Sequence, residues 1–336
     1  MLLQSTLIFI VSLILIGLVK KYAPNLGLID NPNQRSVHLK PIARGAGIGF
    51  YLAILMVLPI FNMSSLLLYK YTYIATFIIF IAGILDDYRG ITSNFKFFVI
   101  IASTILLLFD NIIISTLGVY FGFELSLVWF ALPFTIFAVV GFTNALNLID
   151  GLDGLASSIS IVILATFFTI GYQNNDIFMQ LLSLAFIATL LAFLFYNWYP
   201  ASIFMGDSGS LILGFIISVL AIKSLEYIPT TAILFISAVP ILDTIVVMIR
   251  RKKSGNSMVS ADKCHIHHIM KKLFLNNTKI VVAFLVFIQV LYSLVGLSIY
   301  KGINEFFVLI FFILNILLQY YILSLLIKKL NIECKS

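Results

Sequence analysis

The stretch NALNLIDGLDGLA, Asn144 to Ala156, decides how the chain is read. Two amides and two carboxylates recur at every third position, Asn144, Asn147, Asp150 and Asp153, between the apolar runs 127–149 and 155–171. Each run approaches the ~20 apolar residues an α-helix needs to cross ~30 Å of hydrocarbon, whereas a membrane β-barrel would show ~10-residue alternating segments. The stretch is thus the polar end of one membrane helix, a break, and the start of the next. Gly151 and Gly154 can unwind or tighten that break. Steps of three sweep around half of an α-helix, since each falls ~60° short of a turn, but they stack on one side of a 3₁₀ turn. Oxygen groups so placed suit a hard cation with a phosphate-bearing ligand. Helix capping explains one aspartate and leaves the other polar groups unexplained.

The whole chain has the same character. Its 336 residues are 61% hydrophobic and 10% charged, with mean hydropathy +1.11, which excludes an ordinary soluble domain. The expected fold is an all-α polytopic integral membrane protein, a single membrane-embedded domain over 1–336. About eleven spans are predicted, near Leu2–Val19, Gly47–Phe61, Leu66–Leu85, Phe97–Ile114, Leu127–Ile149, Leu155–Gly171, Ile177–Tyr196, Leu211–Ala221, Pro229–Ile249, Ile280–Tyr300 and Asn304–Ile327. The eighth is short unless Ser208 to Ser210 belong to it. No Lys or Arg precedes the first block and no cleavage pattern follows it at KKYAPNLG, so it reads as a span rather than a secretory leader.

Orientation follows from charge. Of the 21 Lys and Arg, 18 fall on one set of loops and only Lys70, Lys223 and Lys301 on the other. An asymmetry that large predicts a cytoplasmic C-terminus, an outside N-terminus, and cytoplasmic loops near 20–46, 86–96, 150–154, 197–210 and 250–279. The net charge of +7 belongs to that face, where anionic lipid explains it as well as an anionic substrate would, and no nucleic-acid partner is expected. Cys264 and Cys334 lie far apart without C-x-x-C spacing and are expected to be reduced.

Each of these loops holds a motif: DNPNQRSVHLKPIARGAG (30–47), DDYRG (86–90), NALNLIDGLDG (144–154), NWYPASIFMGDSGS (197–210) and ADKCHIHH (261–268). The opposite loops hold ordinary turn residues, so one site on the cytoplasmic face is expected. Asp86 and Asp87 are adjacent acids at a helix carboxyl end, where negative charge is unfavourable unless a cation or proton is shared, although solvated loop aspartates would look the same. Asp207 lies at a loop-to-span junction where Ser208 and Ser210 can cap a helix. His265, His267 and His268 lack the second ligand pair of a zinc site. Beside Lys263, Lys271, Lys272 and the run 250–253 they read as a loop that grips a polyanion, or as a plain juxtamembrane basic loop. Carboxylates, amides and a basic loop together describe a magnesium-dependent phosphate site, and the membrane setting makes one reactant a lipid. Two other classes share some of these residues. An intramembrane aspartyl protease would pair Asp207 with Asp150, and a transporter would use mid-span acids such as Asp243, for which a buried hydrogen bond is the plainer role.

The ordered set DD (Asp86–Asp87), NxxNxxDGLDGLA (Asn144–Ala156), FMGDxGSL (Phe204–Leu211) and HIHH (His265–His268) resembles the polyprenyl-phosphate N-acetylhexosamine-1-phosphate transferases, over about Asp30 to His268. The resemblance implies a multi-pass enzyme of the bacterial cytoplasmic (inner) membrane. Its reaction converts a UDP-N-acetylhexosamine and undecaprenyl phosphate into undecaprenyl-diphospho-sugar and UMP. It further implies Mg²⁺, replaceable by Mn²⁺, on Asp207 with Asn147 second; catalytic roles for Asp86, Asp87, Asp150 and Asp153; and substrate contacts from Asn144, Asn197, Phe204, His265, His267, His268, Lys40 and Arg44. Asn197 and Phe204 would flank the uracil. The HIHH loop is similar to the WecA/TagO branch, which primes O-antigen, enterobacterial common antigen or wall teichoic acid, rather than to the MraY branch of peptidoglycan synthesis. GlcNAc-1-phosphate is then the expected cargo. Ala261, Asp262 and Lys263 stand where Pro-Asp-Arg is common, and Lys cannot reproduce the fork of Arg. A homodimer is left open.

Overall fold

A computed structural model describes residues 1–32, 40–255, 257 and 264–332. Thirteen α-helices are described: α1 Leu2–Tyr22, α2 Ala46–Leu68, α3 Lys70–Arg89, α4 Ser93–Leu107, α5 Ala131–Ile149, α6 Leu155–Gln173, α7 Ile177–Asn197, α8 Asp207–Ser224, α9 Thr230–Ile236, α10 Ala238–Lys253, α11 Ile266–Leu273, α12 Thr278–Ser298 and α13 Glu305–Lys329. Polar side chains start several of them. Thr92, Asp176 and Asn277 accept from backbone N–H groups of α4, α7 and α12 at 3.3, 2.9 and 3.3 Å, which satisfies donors that a helix start leaves free.

Ten helices among the described residues are long and apolar enough to cross a membrane, and eleven if α9 and α10 count as one span. The protein is a multi-pass membrane protein. The hydrophobic core runs between these helices, and α8 is its centre. Its span is 83% buried, against 22% for α1 and 11% for α13, which lie at the rim. Helices α2, α3, α5, α6 and α7 surround it. Close approach needs small residues: a Cβ on Gly47 of α2 would collide with the backbone of Gly209, and one on Gly83 of α3 with Ser208. The central helix therefore begins where α2 and α3 press against it, and its first residue is Asp207.

The structure departs from expectation in four places. First, the fold is mostly but not wholly helical. Strands β1 (Ile29–Asp30) and β2 (Ile42–Ala43) pair antiparallel, as do β3 (Thr116–Tyr120) and β4 (Phe123–Ser126), and ribbons this short leave no periodic signal. Second, the predicted span Pro229–Ile249 is broken, with α9 and α10 meeting at 87°. Ser237 leaves helical geometry there, and Gln289 of α12 accepts from Val239 N (3.1 Å) and donates to Ile236 O (2.8 Å), replacing bonds the break removes. Third, α2 kinks at Asn62 (φ −142°, ψ 44°), just past the predicted end at Phe61, and a further helical stretch reaches Leu68; the fourth span covers Ser93–Asp110, and α8 takes in Ser208 to Ser210, which makes the eighth span long enough. Fourth, Cys264 is fully buried and disulfide-bonded rather than reduced; Cys334 lies outside the described residues.

Candidate active site

The break between α5 and α6 and the start of α8 come together with the end of α3. Asp86, in the last turn of α3, accepts from Ile91 N at 2.8 Å through one oxygen and from Lys96 Nζ at 2.7 Å through the other. Lys96 also donates to Asp207 Oδ2, so one ammonium joins the first acid pair to the head of the central helix. The other oxygen of Asp207 accepts from Asn147 Nδ2 at 3.1 Å, and the same amide reaches Ser210 Oγ at 2.8 Å. Asp86, Lys96, Asp207, Asn147 and Ser210 thus form one continuous polar chain across α3, α4, α5 and α8. With each of its oxygens accepting from a neighbouring side chain, Asp207 is fixed before any ligand arrives.

The two adjacent aspartates do different work. Asp87 is 2% exposed and turned away from Lys96. Its oxygens accept from Asp207 N at 2.8 Å and Ser208 N at 3.0 Å, so it caps α8 from another helix. Arg44 lies within its electrostatic reach, with Nε buried and without a hydrogen-bond partner. Asp87→Ala is expected to destabilise the protein by about 3–6 kcal/mol, the value of two charge-assisted bonds. Thermal unfolding in detergent checks this. An unchanged midpoint with lost turnover would instead make Asp87 a reacting group.

Asp153 and Asn197 are struts. Asp153 Oδ2 accepts from Ala201 N at 2.9 Å. Asn197, 4% exposed, accepts from Gly154 N at 2.8 Å and donates to Ile203 O at 3.0 Å. Between them they tie the DGLDG break to the loop before α8. The end of the 30–47 motif is laced to the same loop: Phe204 N donates to Ala43 O at 2.8 Å, Ala46 N to Phe204 O at 3.1 Å and Gly47 N to Met205 O at 3.0 Å. Phe204 is half-buried beside this lacing, Asn144 is half-buried one turn before Asn147, and Lys40 is exposed at the edge.

Asp150 follows the last turn of α5. Burial first, and then the charges of Asp207, Asp153 and Asp87, push its pKa up to about 7. A raised carboxyl pKa means that the folded protein holds a proton the unfolded chain releases, so a stability penalty grows as pH rises from about 4 to about 7 and is full above it. Asp150→Asn removes that penalty. The variant is expected to unfold at a higher temperature than the parent at pH 8 and at nearly the same temperature at pH 4. An equal difference at both pH values would contradict this.

The histidine loop closes the site from the far side. Asp243 of α10 accepts from Ile266 N at 2.7 Å and holds His265 Nδ1 at 2.8 Å, the hydrogen-bonded role expected for that acid. His267 is 1% exposed, lies against Gly151, and neither ring nitrogen has a hydrogen-bond partner. Burial, then His268, His265 and Lys271, lower its pKa well below the usual imidazole value, so it is neutral at pH 7. The His268 ring stands 4.2 Å from that of His267. Residues 261 to 263, where the departure from Pro-Asp-Arg falls, lie outside the described residues.

Sequence reading missed Lys96 as a site residue and counted it only as a loop charge. It lies in the first turn of α4, and the tight connection after Gly90 folds α4 back beside α3, level with Asp86. A lysine just inside an apolar run and ten positions after an acid pair was the available signal. Among the described residues no three His, Cys, Asp or Glu side chains converge as a ready metal cage. Mg²⁺ needs none, since it binds through one or two carboxylates and completes its shell with phosphate and water. Asp86 and Asp207 converging on one cation, with Asp150 close in charge, are such a donor set.

Comparison with known proteins shows the family. The family model described as glycosyl transferase family 4 matches residues 69–225. A protein of Bacillus subtilis (strain 168) named probable undecaprenyl-phosphate N-acetylglucosaminyl 1-phosphate transferase is 36% identical over 77% of this chain and 75% of its own. An Escherichia coli O157:H7 protein named undecaprenyl-phosphate alpha-N-acetylglucosaminyl 1-phosphate transferase is 30% identical over 94% of this chain and 88% of its own. One of the same name from Yersinia pestis is 30% identical over 79% and 75%. Lys96 joins Asp86 to Asp207, and Asn147 holds the other oxygen of Asp207; with relatives at 36 and 30% identity over most of its length, the chain belongs to the polyprenyl-phosphate N-acetylhexosamine-1-phosphate transferases, within glycosyl transferase family 4.

Proposed function

We propose that this protein transfers N-acetylglucosamine-1-phosphate from its UDP-sugar to undecaprenyl phosphate, releasing UMP. The observation that carries the reading is the Asp86–Lys96–Asp207–Asn147 chain at the ends of membrane-spanning helices. There a lipid phosphate and a soluble diphosphate could meet a shared cation. The names of the relatives supply the acceptor and the sugar. Charge asymmetry supports a cytoplasmic active face and an inner-membrane location.

An oxygen of the lipid phosphate attacks the sugar-proximal phosphorus. The bond from that phosphorus to the bridging oxygen breaks, and UMP leaves with that oxygen. A phosphate monoester has a second pKa near 6, so the attacking group is largely dianionic at pH 7 and needs positioning more than a base. Lys96 and Arg44 supply positive charge for its oxygens. Asp207 and Asp86 would hold Mg²⁺, which Mn²⁺ could replace, with Asn147 keeping Asp207 in place. A cation held there would supply positive charge to the diphosphate oxygens and the leaving UMP. His267, neutral and with both nitrogens unengaged, offers a hydrogen bond to the donor, and Asp243 sets the orientation of His265. Asn197, Phe204 and Asn144 border the nucleotide side.

The test is UMP release by the purified chain with undecaprenyl phosphate, offering UDP-GlcNAc, UDP-GalNAc and UDP-MurNAc-pentapeptide separately, with and without Mg²⁺. Release from UDP-GlcNAc alone, dependent on lipid and Mg²⁺, is expected. Release only from the pentapeptide donor would move the protein to the peptidoglycan branch. No release from any donor by intact protein would return the protease and transporter readings.

A further inference from the structure

The face of the molecule opposite the carboxylates carries a feature the reaction does not use. Between α4 and α5 the chain forms the β3–β4 hairpin, closed by Phe121 and Gly122, both at positive φ (52° and 85°) as a tight two-residue turn requires. A short turn, Val128–Phe130, then leads straight into α5. Six large apolar side chains project from this unit: Phe121, Phe123, Leu125, Val128, Trp129 and Phe130 are 61, 80, 51, 68, 95 and 59% exposed. Glu124 is the only charged residue from Thr116 to Phe130.

The unit is held firmly to the body. Glu305, 4% exposed at the start of α13, accepts from Val119 N at 3.0 Å, and its other oxygen accepts from Thr231 N at 2.9 Å and Thr231 Oγ1 at 3.0 Å. One buried carboxylate thus clamps the hairpin to α9 and α13. Phe121 also packs on Phe306, with ring centroids 4.9 Å apart. A clamped ribbon that presents aromatic rings outward and almost no charge is neither a mobile solvated loop nor a site for a charged ligand.

Continuity decides what covers it. Phe130 adjoins Ala131, the first residue of α5, so the aromatic surface runs without a break into the apolar wall of a membrane span. Rings with this placement belong in the boundary between headgroups and hydrocarbon, where Trp and Tyr concentrate. We propose that the hairpin and the Val128–Phe130 turn lie in that boundary as an outrigger. Their partner is the phospholipid of the leaflet opposite the catalytic face. Because the last turn of α5 carries Asn147 and leads into Asp150, anchoring its other end fixes how deep the carboxylates sit relative to the surface that a lipid phosphate occupies.

The test uses the chain's own reporters, since it has two tryptophans, Trp129 and Trp198. Trp198→Phe leaves Trp129 alone, and Trp129→Phe in the otherwise native chain provides the reverse control. Each is placed in phosphatidylethanolamine–phosphatidylglycerol vesicles whose acyl chains are brominated at shallow or deep positions. The expected result is blue-shifted Trp129 emission that loses most of its intensity to shallow bromines, less to deep ones and little to aqueous acrylamide, with that component missing from Trp129→Phe. Strong acrylamide quenching without bromolipid quenching would place the hairpin in water. Protection from both quenchers would mean that protein, such as a second copy, covers it. Either result overturns the proposal.

Discussion

Asp207→Asn is expected to lower turnover by at least about 10²–10³-fold, the cost typical of losing a principal electrostatic contact to a transferring group. The substitution keeps the side chain's shape; its one oxygen can still accept from Lys96, and the Asn147 amide can turn to accept from the new amide nitrogen, so the loss reports charge rather than collapse of α8. The cap from Asp87 uses backbone N–H groups of Asp207 and Ser208 and is untouched. Wild-type thermal stability is therefore expected alongside the lost activity. The check is the initial rate of UMP release across a Mg²⁺ titration. A variant with normal rate and unchanged Mg²⁺ requirement would remove Asp207 from the cation site.

The second large effect belongs to Lys96. Its ammonium bridges Asp86 and Asp207, with side chains 24, 14 and 23% exposed respectively. Lys96→Ala leaves two carboxylates facing each other without a counter-ion. Turnover is expected to fall by about 10²-fold, because a positive group facing the substrate phosphates is lost. Stability should fall by only about 1–3 kcal/mol, since the site is partly open to solvent. A further outcome separates this residue from an ordinary phosphate ligand. An ammonium and a divalent cation compete for the same oxygens, so the variant should be stabilised by lower Mg²⁺ concentrations than the parent while turning over more slowly. Thermal shift against Mg²⁺ checks it, and a variant needing more Mg²⁺ would show that Lys96 helps to assemble the cation site instead of competing for it.

Much of this site was legible before any coordinates. Membrane helices announce themselves by length, because hydrocarbon demands a fixed number of apolar residues, and polar groups at their ends stand out against that background. The position of Asp207 at the head of a span, and the convergence of motifs from separate loops, followed from such reasoning. The division of labour inside each motif did not. Asp86 and Asp87 are neighbours in sequence, yet successive helix residues point about 100° apart, so one meets Lys96 and the other the N-terminus of α8. Which faces which depends on the position of α8, a tertiary fact. The same holds for Asp153 and Asn197, whose partners are backbone groups with no sequence signature. The break at Ser237 was hidden because α9 and α10 are continuous in hydropathy, and the glutamine that satisfies it lies on another helix. The β3–β4 ribbon was overlooked because an apolar loop beside apolar spans has little contrast.

In the proposed reaction this constellation moves one phosphorus atom of a nucleotide sugar onto a membrane lipid. The most direct measurement is a single-turnover reaction with UDP-GlcNAc labelled separately at the sugar-proximal and the nucleoside-proximal phosphorus, followed by extraction of the lipid phase. The sugar-proximal label is expected to move into the undecaprenyl fraction together with the sugar, and the nucleoside-proximal label to stay in water as UMP. Sugar entering the lipid without either label, with UDP released, would show attack at the sugar carbon and contradict it.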